Sequence, residues 1–128
     1  VFMSYGMTEL NTYNIACSKG VYHVFPWNIP MVLNQNGTPL PRTGVQTGRA
    51  GYFDLLAQTY WGGILTGDRI TVHYDEDCNC GWKGPWIEDN VQRFSELTGG
   101  EDIISCAGVQ SAYSDFMEYI AADVPEGE

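Results

Sequence analysis

Positive charge is what this chain has least of. Six Lys and Arg stand against sixteen Asp and Glu in 128 residues, a net charge of −10. Residues 75–128 hold thirteen of the acids against Lys83 and Arg93, a net of −11, while residues 1–74 come to +1. A phosphate backbone would be repelled by that second half, so the expectation is that the chain has no nucleic-acid partner. Long hydrophobic runs are missing too: no stretch approaches the roughly 18 apolar residues of a spanning helix, so no membrane span is expected. A basic, then apolar, leader is not seen at the start, and a chain that begins at Val1 is expected to be processed or trimmed. Internal repeats are lacking, and so are the flanking motifs of nucleophile elbows, P-loops and dinucleotide sites.

What is present is apolar, aromatic and rich in turns. Hydrophobic residues make up 44% of the chain and charged ones 17%, with fifteen Gly, eight Tyr and four Trp. The length fits a single compact domain over 1–128, with residues 1–13 as a flexible or partner-ordered arm. Low charge with many aromatics suits a secreted, extracellular or virion-surface protein better than a cytosolic enzyme.

Read for periodicity, the chain suggests an α+β fold. Gly20–Phe25 is β-branched and aromatic and closes at Pro26, and Met31–Leu33 is a second short run before the Asn36-Gly37 turn. These form an N-terminal part of short antiparallel strands, followed by a long aperiodic loop over 34–51. Tyr52, Leu55, Leu56 and Tyr60 share one helical face in segment 52–61, stopped at Gly62-Gly63. In residues 69–74, Ile70, Val72 and Tyr74 alternate with Arg69, Thr71 and His73, the pattern of one central half-buried strand. Two C-terminal amphipathic helices follow, over about 86–98 and 107–124. The first has Ile87, Val91, Phe94 and Leu97 on one stripe, the second Val109, Tyr113, Phe116 and Ile120.

Four cysteines, Cys17, Cys78, Cys80 and Cys106, allow three pairings. A Cys78–Cys80 bridge would close a tiny strained ring. The favoured reading is therefore two disulfides joining Cys17 and Cys106 to Cys78 and Cys80, with Cys78 not bonded to Cys80. Two alternatives remain. One is buried free thiols; the other is a metal site of His73, Cys78 and Cys80 completed by Cys17 or Cys106. Asn36-Gly37-Thr38 is a glycosylation triplet in the presumed surface loop.

Segment 73–89 is where a site is expected. Asp75, Asp77 and Asn79 alternate before Gly81 as calcium loops do, with Glu88 or Asp89 as a further ligand. The EF-hand pattern then breaks, because Trp86 stands where the bidentate Glu belongs. Calcium is the cofactor to consider, and otherwise none is expected. His73 and Asp75 are the candidate catalytic pair, and Cys17 or Ser18 could serve as a nucleophile beside His73. Trp82 and Trp86, in a Gly/Pro loop, could meet sugar or protein through a flat amphipathic ring. The reading that fits most of these features is a non-enzymatic interaction or structural subunit of an extracellular or virion-type assembly, with a protein partner or self-assembly. A secreted, disulfide-stabilised carbohydrate-binding module or effector is the alternative, and a small secreted hydrolase around His73 and Asp75 is the second.

Overall fold

The computed structural model describes residues 3–97. These contain eight strands: β1 (Ser4–Tyr5), β2 (Asn14–Ala16), β3 (Tyr22–His23), β4 (Asn28–Leu33), β5 (Val45–Asp54), β6 (Gly63–His73), β7 (Trp86–Ile87) and β8 (Gln92–Arg93). One short helix, α1 (Phe94–Leu97), follows. All strand pairs are antiparallel, in the order β1-β2-β3-β7-β6-β5-β4, with β8 also pairing β6.

This corrects the expected α+β fold: the described chain is mostly one antiparallel sheet. The helix expected over 86–98 shrinks to Phe94–Leu97, and its first two residues become a strand. Ile87 sits fully buried, 0% exposed, because β7 inserts between β3 and β6, pairing with Tyr22 on one side and Val72 on the other. Backbone hydrogen bonds to two distant strands outweigh a helical spacing worth only tenths of a kcal/mol per residue. The second expected helix, 107–124, lies outside the described residues. Segment 52–61 is not a helix either. Tyr52 ends up in the core of β5, Leu55 and Leu56 stand exposed at the turn, and Asp54 accepts the Leu56 N–H.

The frame is the long β5–β6 hairpin. Alternation sends Ala50 and Tyr52 of β5 and Ile70 and Val72 of β6 into one core with Val32, Tyr22 and Ile87. The register shifts between Arg49 and Gly51, where the single residue Ala50 of β5 faces three residues of β6, an irregularity that locally disrupts the ladder. Gly48 is required there, since a Cβ would strike the Leu33 carbonyl. Residues 3–13 join the same core: Tyr5 and Leu10 are buried, and the Tyr5 hydroxyl donates to Asp68 Oδ2 at 2.9 Å. Arg93 Nε pairs with the other oxygen of Asp68 at 3.0 Å, tying β8 to the same carboxylate. No helix among the described residues is long and apolar enough to cross a membrane.

Candidate functional site

Successive residues of a strand face opposite sides of a sheet, and the short strands β3 and β7 use this to separate two chemistries. Tyr22, Ile87 and Val72 line up across β3, β7 and β6 on the core side. One residue along, His23, Trp86 and His73 line up on the other side. The loop 74–85 between β6 and β7 returns over this second row and brings Cys78, Cys80 and Trp82 with it.

The cysteines converge there. Cys17, in the β2–β3 turn, has its Sγ 3.9 Å from Cys78 Sγ, and Cys80 Sγ is 3.3 Å from His23 Nε2. The four ligand atoms of Cys17, His23, Cys78 and Cys80 all lie within 4.8 Å of one another. None of the three cysteines is bonded to another, and Cys106 lies outside the described residues. Two similar turns hold the group. Gly20 N–H donates to the Cys17 carbonyl and Gly81 N–H to the Cys78 carbonyl, each glycine at a positive φ (82° and 94°) that side-chain-bearing residues avoid. The N–H groups of Lys19 and Trp82 then point at the sulfurs of Cys17 and Cys80, at 3.3 and 3.4 Å. Burial pushes the Cys17 thiol up, but the Lys19 N–H and the neighbouring Cys80 and Cys78 thiols more than offset this and bring it below the ordinary value. Burial, with the Cys80 and Cys17 thiols alongside, holds the Cys78 thiol above its ordinary value. Burial also lowers the His23 pKa, which favours neutral imidazole.

Other expected site residues go elsewhere. His73 meets Glu88, Nε2 to Oε1 at 2.8 Å, while Asp75 accepts from Gly44 N–H just past the end of the β5–β6 pair. The His73 side chain is only 13% exposed, with Glu76 3.5 Å from its Nδ1 and the Trp86 ring stacked on it at 3.7 Å between centroids. The calcium candidates also disperse: Asp77 pairs with Lys83 at 2.6 Å and Glu88 takes His73 and Asn90. Asp75, Asp77 and Glu88 form no common ligand cluster among the described residues. Trp86 spends its indole N–H on the Glu76 carbonyl, and Trp82 lies over the His23 ring at 5.2 Å. The glycosylation triplet at Asn36 sits in an exposed turn, where Asn34 Oδ1 accepts from the N–H groups of Asn36 and Thr38.

An aromatic surface that includes Trp82 runs from this cluster to the end of the β5–β6 hairpin. Trp82 meets Phe25 edge-on at 5.8 Å, and Phe25 stacks on Trp27 at 5.0 Å. The Trp27 carbonyl in turn accepts the Leu55 N–H. Beyond it Leu55, Leu56, Tyr60 and Trp61 are exposed, Trp61 by 82% and Leu55 by 62%. Segment 52–61 carried the signal as apolar residues around Gly62-Gly63, a hairpin turn and not a helix end. His23 was missed because Cys17 and His23 meet Cys78 and Cys80 only through strand pairing, across 61 residues for the Cys17–Cys78 pair. Comparison with protein-family models, curated proteins and solved structures finds no match for this chain.

Proposed function

We propose that this chain is a non-enzymatic interaction domain, a subunit of a larger assembly whose contact surface is the end of the β5–β6 hairpin. The observation that carries this reading is the cluster of Leu55, Leu56, Tyr60 and Trp61, large apolar side chains exposed together on a rigid turn. Asp54 anchors that turn, accepting from both Asn11 N–H groups and from Leu56 N–H, so the cluster is presented in a set geometry. Exposed aromatic and aliphatic anchors of this kind supply most of the energy at protein interfaces, and pre-ordering them lowers the cost of binding.

The occupant is a second copy of the chain. From Leu55 to Gly67 no residue is charged, so two such ends set no like charges of this segment against each other. Sedimentation velocity over a concentration series tests this. The chain should self-associate, and Trp61→Ala should weaken association by at least about tenfold, the cost of losing roughly 1.4 kcal/mol at a hot spot. A chain that stays monomeric at all concentrations, or associates as well with Ala at 61, overturns it.

A further inference from the structure

We propose that Cys17, His23, Cys78 and Cys80 bind one zinc ion in a closed tetrahedral site, which clamps the loop 78–84 onto the β2–β3 turn.

Geometry is the first support. Zinc holds sulfur at about 2.3 Å and histidine nitrogen at about 2.0–2.1 Å, so a tetrahedral site sets sulfurs about 3.8 Å apart and sulfur from nitrogen about 3.6 Å. The Cys17–Cys78 and Cys80–His23 separations are 3.9 and 3.3 Å, and all four atoms fall within 4.8 Å. The side chains therefore already stand near the corners a metal would impose.

The surroundings are those of thiolates. Two backbone N–H groups, from Lys19 and Trp82, are aimed at two of the three sulfurs, where they would offset ligand charge. Trp82 lies over His23 and closes the site on that side. Other ways to satisfy the group serve it less well. A Cys17–Cys78 disulfide would need the sulfurs to close to about half their present separation, and would leave Cys80 and His23 with only their contact to each other. Thiol hydrogen bonds alone are weak compensation for three sulfurs and an imidazole gathered at one point.

Ligand chemistry selects the metal. Three thiolates and one imidazole, without a carboxylate, suit zinc and exclude calcium and magnesium, which take oxygen. All four positions belong to the protein, so no place is left for water or substrate, and the site is structural and not hydrolytic. Binding releases the thiol protons and leaves three thiolates and a neutral imidazole around Zn(II). The two halves lie far apart in the chain, so the unfolded chain holds no preformed site and the binding free energy stabilises the folded state.

The test uses the full chain, purified with a non-chelating reductant. Native mass spectrometry should show one zinc per chain. Cobalt(II) added to the metal-free protein should give thiolate-to-cobalt charge-transfer bands and the intense visible bands of tetrahedral cobalt, lost again on addition of one equivalent of zinc. Cys80→Ser and His23→Gln should each abolish the tetrahedral signature, with far-UV circular dichroism checking that the sheet persists. Cys106→Ser should leave it unchanged. The proposal is overturned if the reduced chain takes up no stoichiometric metal, or if Cys80→Ser and His23→Gln bind cobalt with the same spectrum. Loss of binding in Cys106→Ser overturns it too, as does a Cys17–Cys78 disulfide in protein isolated without reductant.

Discussion

Two neighbouring rows of side chains, one residue apart on the same three strands, have opposite chemistries. Tyr22, Ile87 and Val72 close the core, Ile87 and Val72 without any exposure. His23, Trp86 and His73 carry rings, ring nitrogens and, through the loop above them, the sulfurs. The core row is held by burial, which is non-directional and indifferent to protons and metals. The outer row is held by directed contacts that depend on protonation and on what binds. A single-residue slip of the two-residue β7 would exchange Ile87 with Trp86, so one short strand keeps the two chemistries on their own sides.

The largest expected effect comes from breaking the core row. Ile87→Ala should cost about 2–5 kcal/mol, read by urea unfolding, because the side chain is fully enclosed and its surroundings relax only partly into the gap left behind. A loss below about 1 kcal/mol would mean that the row does not organise the core. Next, zinc at about a hundred times its Kd should stabilise the reduced protein by about 2.7 kcal/mol, seen as a rise in Tm. Ile87→Ala should keep that rise and Cys80→Ser should lose it, which separates the two rows in one experiment.

Asp54 tests whether the core side is itself indifferent to acid. It is buried, and burial alone would raise its pKa. The Asn11 and Leu56 N–H groups and the Tyr60 hydroxyl nevertheless hold it below the ordinary 3.8. Its contribution is therefore complete above the unfolded-state value and fades as pH falls through the lower folded one. Asp54→Asn should cost about 1–3 kcal/mol at pH 7 and flatten the acid limb of a stability–pH curve. An unchanged acid limb would place the acid sensitivity elsewhere. The smallest effect belongs to His73–Glu88. Glu88 is about a third exposed, so Glu88→Gln should cost no more than about 1 kcal/mol, read by urea unfolding.

Alternation was legible in advance, as with Ile70 and Val72 in the last part of β6 and Tyr74 just past its end, since a period of two shows within a few residues. The spacing of Ile87, Val91, Phe94 and Leu97 was equally regular and misled. Ile87 does go inside, but as a strand residue, because β3 and β6 offered its backbone two sets of partners. At Tyr52 the helical spacing failed for the same reason: Ile64 of β6 and Pro30 of β4 flank it across the sheet. Local pattern reports which side chains want burial and does not name the strand that buries them.

The same division holds for the candidate site. Sequence by itself determined the charge asymmetry, the concentration of cysteine and acid in residues 75–80, and which side chains of the central strand face inward. These are set by composition and by the covalent geometry of the strand. Only the tertiary structure decided that His23, and not His73, joins the cysteines, and that His73 takes Glu88 and not Asp75. Those choices depend on the register of β3, β7 and β6, fixed by backbone pairing that joins β3 to β7 across more than sixty residues and β7 to β6 across a loop, and no local spacing encodes it.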